Sequence, residues 1–194
     1  YQSVGLNWER SAMIKARPVA GDILAGYDFL ERLRGFVWRT SLDYAALEDI
    51  HAIKNQIHRH HRHGDICILG QDVKLGRGGI REIEFFAQIN QLIAGGRERD
   101  LRVRETVKAL TILEEMERID HDTSHTLVQA YQFLRSLEHR LQMVRDEQTH
   151  SMPDTLEGLE HIACFMGYDD VKVFEERLLH HLTHVKQCYD ELLS

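Results

Sequence analysis

The chain has 194 residues, of which 43% are hydrophobic and 28% are charged, and it contains only two prolines. This composition is typical of a folded globular protein with one sizeable core or two small ones. The formal net charge of −7 argues against a general nucleic-acid-binding protein, which needs a basic face to displace counterions from phosphates. The acidic balance still allows a small basic pocket for a single nucleotide.

Features along the sequence argue against membrane-spanning and disulfide-stabilised proteins. No uninterrupted apolar run approaches the roughly 20 residues that a membrane-spanning helix needs, so we expect no membrane segment. Cys67, Cys164 and Cys188 lie far apart without CxxC spacing, which is typical of reduced, mostly buried thiols in the cytoplasm rather than of a disulfide scaffold. Tyr1 is not preceded by a methionine, a basic leader or a signal peptide, so we expect the chain to be a piece of a longer protein.

Apolar residues recur at helical spacing in the first third of the chain. We predict a first helix over residues 1–16, stopped before Pro18 because the residue preceding a proline is disfavoured in helical geometry. Asp22 is a candidate N-cap for a second helix that ends near Gly35. The apolar residues that carry the helical spacing of that helix are Leu24, Phe29, Leu30 and Leu33. A third helix is predicted over residues 43–57.

The stretch from residue 65 to residue 75 has a different pattern. Apolar residues flank Gly70-Gln71, which predicts a short β-hairpin or an extended loop that leans on the helices. Helical spacing returns over residues 80–92 and over residues 103–116. Gly95-Gly96 separates these two helices, because glycine readily ends a helix.

The strongest helical pattern covers residues 124–147, and Pro153 separates it from a last pair of helices over residues 156–166 and 171–193. The sequence therefore predicts an all-α fold, a helical bundle with a short β-hairpin near residues 65–75. We expect a single helical domain over residues 1–194, in which residues 154–194 form the carboxy-terminal helix pair.

The most distinctive stretch covers residues 74–85 and reads Lys-Leu-Gly-Arg-Gly-Gly-Ile-Arg-Glu-Ile-Glu-Phe. Its first six residues, here called the glycine turn (residues 74–79), contain glycines that permit positive φ and a close approach to another surface. They lead into a helix, whose free N–H groups and positive dipole end favour a phosphate. The residues that we single out for nucleotide, phosphate or cross-domain contacts are Lys74, Arg77, Gly78, Gly79, Arg81, Glu82 and Glu84.

The alternative interpretation of the glycine turn is structural. It is then a tight corner between a loop and a helix, in which Arg81 and one glutamate form a buried salt bridge. Two familiar phosphate motifs are excluded, since the GK[ST] ending of a Walker A motif and the hydrophobic strand before a Rossmann fingerprint are both missing.

Three blocks of sequence, in this order, resemble glutamine synthetase adenylyltransferase/adenylyl-removing enzymes. They match the family's WER…IKARPVAGD block, its KLGxGGIREIEF signature and its EHRLQ…DEQTH block. These blocks occupy residues 8–10 with 14–22, residues 72–85, and residues 138–142 with 146–150. The resemblance runs over residues 1–153 and continues more loosely to the end of the chain.

The resemblance implies an enzyme with two nucleotidyltransferase domains, each followed by a helical region. One half removes AMP from a tyrosine of glutamine synthetase by phosphorolysis, and the other half attaches it from ATP. It also implies Mg²⁺ and ATP or AMP as ligands of the full-length enzyme, a cytoplasmic location, and a role in regulating nitrogen assimilation. Glutamine synthetase and a PII signalling protein are the implied partners. The wording GGIREIEF resembles the AMP-removing half, since its counterpart in the other half reads more like GGIVDIEF.

The chain also departs from the family's pattern. The metal-binding carboxylates of the family lie in a Gly-Ser…Asp-x-Asp motif and in a later aspartate, and this chain has no such motif. Because two-metal phosphoryl transfer needs those ligands, we expect no catalytic residue, no metal, no cofactor and no activity in the chain alone. The alternative function is a protein-interaction module that docks glutamine synthetase or a PII regulator without contacting nucleotide.

Other polar clusters have two interpretations each. Lys15 and Arg17 lie at a helix end, where they either face a nucleotide site or form a solvated or locally paired basic cluster. Four histidines within six residues are a candidate zinc site or, more simply, a solvated helix end: His58, His60, His61 and His63. A metal-binding helical protein would rest on these histidines alone.

Two further groups are interpreted as structural. Glu138 and His139 are adjacent, and adjacent residues on a helix point apart, so salt bridges on a packed helix are favoured over a catalytic pair. The aromatic residues expected in the core are Trp8, Trp38, Phe85 and Phe86.

Overall fold

The computed structural model describes residues 7–39 and 66–193, and within these ranges the chain is all-α, as predicted. Its helices are α1 (Asn7–Ile14), α2 (Ile23–Val37), α3 (Ile80–Ala94), α4 (Thr106–Glu115), α5 (His121–Arg145), α6 (Leu156–Phe165) and α7 (Val171–Leu193). A 3₁₀ turn, Arg99–Leu101, precedes α4. None of the helices in the described ranges is both long enough and apolar enough to cross a bilayer.

The helices fall into two compact units. The first unit comprises residues 1–60 and 87–119, and the second comprises residues 61–86 and 120–194. The boundary falls inside α3, so each unit is built from two stretches of chain. A single domain over residues 1–194 stays a prediction.

Buried polar side chains bind the ends of helices in the first unit. Arg10 of α1 is 3% exposed, and its guanidinium donates to the carbonyl oxygens of Phe36 at 3.2 Å and Val37 at 3.3 Å. These are carbonyls of the last turn of α2, which have no partner within the helix. The Ser11 hydroxyl donates to the Gln88 side chain at 2.6 Å. Arg10 therefore has a structural role at the end of α2.

The end of α3 is held in the same way. Gly95-Gly96 follows the helix, as predicted, and Arg102 donates to the carbonyl oxygens of Gly95 at 2.6 Å and Gly96 at 3.0 Å. Gln91 donates to the Leu101 carbonyl at 2.6 Å. A small apolar core lies beside these contacts, formed by Ala94, Leu101 and Leu113.

The second unit has its core along α5, α6 and α7. Asp120 is the N-cap of α5, and its carboxylate accepts a hydrogen bond from the Thr123 backbone N–H at 2.7 Å. The largest fully buried side chains of these three helices include Leu127, Leu134, Leu137, Leu159, Ile162 and Phe174. The stripes along α5 and α7 recur at the predicted helical spacing.

Two predictions for α2 have different outcomes. Asp22 caps the helix as predicted, since its carboxylate accepts from the Ala25 N–H at 2.9 Å. The apolar residues of the first half of the helix are not buried, since Leu24 is 82% exposed and Phe29 is 49% exposed. The helix packs through its last turns, where it runs to Val37 rather than to Gly35, and the buried side chains there are Leu33, Phe36 and Val37.

The predicted β-hairpin near residues 65–75 is wrong for the described part of that range, residues 66–75. The backbone there pairs with a distant segment instead of with itself, in a single antiparallel bridge between Asp72 and Ser151. The Gly70 N–H donates to the Pro153 carbonyl at 3.1 Å, and residues 71 and 73 bond to residues 152 and 150. The extended-loop alternative describes this stretch.

The cysteines are free, but their predicted burial is wrong for two of the three. Cys67 and Cys164 are exposed, and Cys188 is half-buried. Cys164 lies on α6 just after the buried Ile162, and residues two apart on a helix point to different sides.

Among the aromatic residues, Phe86 is buried as expected, whereas Trp38 and Phe85 are half-buried. Several predictions lie outside the described residues: the helix over residues 43–57, the side chain of Trp8, and His58, His60, His61 and His63.

Candidate functional site

The glycine turn is shaped by the side chain of Asp72. One carboxylate oxygen of Asp72 accepts from the backbone N–H groups of Lys74 at 2.9 Å and Leu75 at 2.7 Å. The Gly76 N–H donates to the Asp72 carbonyl at 2.9 Å. An aspartate that bonds the backbone two and three residues ahead makes a tight turn, so the backbone of Lys74 is fixed.

The helix start after the turn offers no free backbone N–H group. Every N–H from residue 78 to residue 82 donates to an acceptor within the same stretch of chain. The Ile80 and Arg81 N–H groups bond to the carbonyls of Val73 at 3.0 Å and Lys74 at 2.9 Å. A phosphate at this place would therefore be bound by side chains and not by the helix N-terminus.

The glycines allow the turn to pack against α7, which explains the predicted close approach. Gly78 has φ of +72°, and a Cβ there would overlap the backbone of Leu182. A Cβ on Gly79 would lie 2.8 Å from the Gly76 carbonyl oxygen. The spacing of these glycines thus serves packing within the second unit.

Glu82, on the first turn of α3, is buried and accepts a hydrogen bond from the glycine turn. It is 4% exposed, and its carboxylate accepts from the Gly78 N–H at 2.9 Å. Burial raises the pKa of the Glu82 carboxyl to about 7, and the Asp190 charge adds to the rise. The hydrogen bond from Gly78 and the charges of Arg77 and Lys186 oppose it.

Arg81 and Glu84 form an ion pair at 3.7 Å, but the pair is not the buried salt bridge of the structural interpretation. The two side chains are 41% and 21% exposed. The Arg81 guanidinium also lies 5.5 Å from the centre of the Phe85 ring. Arg77 is half-buried, and its carbonyl accepts from the Gln71 side chain at 3.3 Å.

Lys74 points to a buried carboxylate on α5. The Glu138 side chain is 2% exposed, and one of its oxygens lies 3.1 Å from the Lys74 ammonium nitrogen. Its other oxygen accepts from Arg135 at 2.5 Å. The His150 Nδ1 atom lies 3.8 Å from Glu138 and has no hydrogen-bond partner. These four side chains are called the Glu138 cluster.

The cluster joins two of the three resembling blocks. Lys74 belongs to the block over residues 72–85, whereas Glu138 and His150 belong to the block that ends at residue 150. The backbone connects them too, since the Val73 N–H donates to the His150 carbonyl at 2.9 Å. Of the residues proposed from the sequence for nucleotide, phosphate or cross-domain contacts, Lys74 is the one that belongs to the Glu138 cluster.

Lys15 and Arg17 belong to the first unit, whereas the glycine turn belongs to the second. The Lys15 ammonium donates to the Arg104 carbonyl at 2.5 Å and to the Thr106 hydroxyl at 2.8 Å, which agrees with a locally paired cation. Arg17 is exposed. Contact of either residue with nucleotide stays a prediction.

Sequence reasoning missed Arg135 and did not connect Glu138 with Lys74 or His150. Arg135 precedes Glu138 by three residues, so the two share a face of α5, and this spacing was a usable signal. Long-range pairs leave no periodic trace in a single sequence. Within the described residues, no group of three or more His, Cys, Asp or Glu side chains is placed to hold a metal ion.

Comparison with known proteins gives one family. The family model described as GlnD PII-uridylyltransferase matches residues 50–193. Bifunctional glutamine synthetase adenylyltransferase/adenylyl-removing enzymes are 58% identical in Agrobacterium fabrum, 54% in Rhizobium meliloti and 50% in Rhodopseudomonas palustris. Each match covers 100% of this chain and 20% of the relative, so the chain spans a small part of the relatives' length. These matches confirm the resemblance carried by the three blocks.

Proposed function

Because the chain belongs to the GlnD PII-uridylyltransferase family and is similar throughout to bifunctional glutamine synthetase adenylyltransferases, we propose that it supports the nucleotide site of such an enzyme. The chemistry itself, with its Mg²⁺ and ATP or AMP, belongs to a nucleotidyltransferase domain that this chain complements. Glutamine synthetase is the proposed substrate, and a PII protein is the proposed regulator. The role is the control of nitrogen assimilation.

The AMP-removing half is the proposed location of this segment. The support is the sequence of residues 78–85, GGIREIEF, which resembles the AMP-removing half more than the half that attaches AMP. We place the enzyme in the cytoplasm, because free cysteines, two of them exposed, are typical of a reducing compartment.

The observation that carries the proposal is the position of Lys74. Its backbone is fixed by Asp72, and its ammonium group is held 3.1 Å from Glu138 while the side chain stays 31% exposed. In phosphorolysis, a phosphate oxygen forms a bond to phosphorus while the bond from phosphorus to the tyrosine oxygen breaks. A fixed cation beside these oxygens stabilises their charge during the displacement.

The test uses the full-length enzyme that contains this segment. We expect Lys74→Met and Arg81→Glu to lower the phosphate-dependent removal of AMP from adenylylated glutamine synthetase, measured as the ADP that phosphorolysis forms, by about 10-fold or more, as removal of a charge-stabilising group does. Attachment of AMP by the same protein serves as an internal control for folding. Lys172→Met is the matched charge control, since Lys172 is exposed near the start of α7.

Two outcomes would contradict the proposal. If Arg81→Glu and Lys74→Met leave both folding and AMP release at the wild-type level, neither residue supports the nucleotide site. If they weaken binding of glutamine synthetase but leave the phosphate dependence unchanged, the segment is an interaction module. A separate prediction concerns the isolated chain, which we expect to release no AMP; clear phosphate-dependent release would overturn that.

A further inference from the structure

The Glu138 cluster contains more positive than negative groups. Lys74 and Arg135 both pair with one carboxylate, so one positive charge is left over, and His150 adds another when it is protonated. The chain as a whole carries a formal charge of −7, so this excess is local. An anion would be attracted to this place rather than to the average surface.

The carboxylate of the Glu138 cluster is more deeply buried than the basic side chains around it. The Glu138 side chain is 2% exposed, whereas the side chains of Lys74, Arg135 and His150 are 31%, 36% and 29% exposed. Solvent therefore reaches the side chains of Lys74 and Arg135, whereas the Glu138 carboxylate and the His150 Nδ1 atom are buried. An anion that approaches from solvent reaches the cations first.

The two cations retain unused hydrogen-bond donors. An ammonium group has three donors and a guanidinium has five. In the structure Lys74 directs its ammonium to Glu138, and Arg135 directs one NH₂ group to Glu138 and the other towards His139 at 3.4 Å. The two cationic groups contact the same carboxylate, one at each oxygen, so they are neighbours on this surface and both have donors to offer to an anion.

We propose that Lys74 and Arg135 together bind one phosphate-type oxyanion, and that Glu138 is the positioning residue that aims them. The ligand is either inorganic phosphate or the phosphate group of a nucleotide. This inference deepens the proposed function, because it names the group that Lys74 binds and adds a second cation from α5. The bonded backbone N–H groups of residues 78–82 leave the side chains as the binding groups.

The experiment titrates inorganic phosphate into the 194-residue chain by calorimetry, with sulfate, AMP and ADP as separate arms. We expect saturable phosphate binding that Lys74→Met and Arg135→Met each weaken by about 10-fold, equivalent to ~1.4 kcal/mol. Lys172→Met, the matched control, should bind as the wild type does. Tighter binding of AMP or ADP than of phosphate would identify a nucleotide as the source of the oxyanion.

Glu138→Gln separates positioning from simple charge balance. If Glu138 only neutralises the cations, its removal strengthens anion binding, because a repulsive charge is lost. If Glu138 aims the cations, Glu138→Gln weakens phosphate binding by about 3-fold or more, and Glu138→Asp partly restores it. In the full-length enzyme the same variant should raise KM for phosphate more than it lowers kcat.

A measurement on the unmodified chain covers the case in which a variant does not fold. Phosphate should shift the imidazole NMR signals of His150 and His139 and leave that of His161, on α6, in place. Absence of saturable binding, binding unaffected by Lys74→Met and Arg135→Met, or tighter binding in Glu138→Gln would overturn the inference. If phosphate binds as described but full-length Lys74→Met removes AMP normally, the oxyanion site stands and the proposed function fails.

Discussion

Glu82 and Glu138 are both buried carboxylates of the second unit, yet their surroundings differ. Glu82 is 4% exposed and accepts a backbone N–H from Gly78, while burial raises the pKa of its carboxyl to about 7. Glu138 is 1% exposed and is approached by Lys74, Arg135 and His150. One carboxylate is paired with the backbone of its own turn, and the other is paired with two cations, Lys74 and Arg135, and lies near His150.

The difference separates a structural acid from a candidate functional one. A buried carboxylate that only completes a turn can take up a proton without loss of its place. A carboxylate that holds part-exposed cations at the surface fixes groups that can act on a ligand. The glycine turn thus has a structural inner side at Glu82 and a candidate functional outer side at Lys74.

The largest loss of stability is expected for a substitution at Gly78, on the structural side of the glycine turn. Gly78→Ala combines a strained positive φ with overlap against Leu182, and we expect a loss of about 3–5 kcal/mol in the free energy of unfolding. Gly70→Ala is the matched control, because Gly70 has φ of +70° but no atom within 4 Å of an added Cβ. It should cost ~1 kcal/mol, the backbone strain alone. Urea unfolding measures both, and equal losses would show that the packing on α7 contributes nothing.

The second prediction contrasts the two carboxylates at pH 8. Glu138→Gln removes two ion pairs and should lower the free energy of unfolding by ~1–3 kcal/mol, less than for a fully buried pair because the cations are part-exposed. Glu82→Gln removes a charge that burial disfavours and should raise stability, by up to ~3 kcal/mol. Chemical denaturation gives the sign directly. Two changes of the same sign would remove the distinction between the sites.

The third prediction uses pH and a second buried group, His181. Burial lowers the pKa of its imidazole to about 4, and its Nε2 atom has no partner. Its contribution to stability is present above pH 6.5 and is lost as the pH falls towards 4. Glu82 has the opposite sign, because its folded pKa is raised: its contribution is present below pH 4.5 and is lost as the pH rises through 7.

Between pH 4.5 and 6.5 the two slopes therefore oppose each other. Relative to the wild type, Glu82→Gln should gain stability as the pH rises and His181→Gln should gain it as the pH falls, by about 2 kcal/mol each between pH 4.5 and 6.5. Thermal unfolding followed across this range tests both. Parallel curves for the wild type and Glu82→Gln would mean that Glu82 does not titrate in this window.

The smallest changes in stability are expected for two cations of the first unit, Lys15 and Arg17. Lys15→Met removes hydrogen bonds to Arg104 and Thr106 and should cost ~1 kcal/mol. Arg17→Met, at an exposed position, should stay within about 0.5 kcal/mol of the wild type. If either variant also lowers turnover of the full-length enzyme well beyond its loss of stability, that cation acts at the nucleotide site after all.

The helices were predictable from the sequence because their signals are local. The starts of α3, α6 and α7 follow from apolar spacing, glycine and proline breaks, and the cap at Asp22 follows from one side chain and the N–H groups beside it. The exposed first half of α2 was not predictable in this way. Spacing shows that Leu24 and Phe29 are apolar positions, but it does not show whether another segment covers them.

The candidate site was predictable only in part, for a similar reason. The glycine turn, with Lys74 as its first residue, stood out by composition and charge. The structure places Lys74 beside Glu138. The pairing of Lys74 with Glu138, and of residues 70–73 with residues 150–153, joins segments far apart in the chain. A single sequence carries no periodic signal for such contacts, and the hairpin prediction failed because the segment that pairs with residues 70–73 lies at residues 150–153.

The contact between Gly78 and Leu182 has a consequence for how the protein is made. The turn leaves the ribosome long before α7, so its packing surface is absent while the intervening helices are synthesised. Contacts between distant segments carry a loop-closure cost and slow folding. The packing of the glycine turn in the second unit is therefore completed only after α7 has emerged, although the Glu138 cluster, which lies wholly before α7 in the chain, does not have to wait for it.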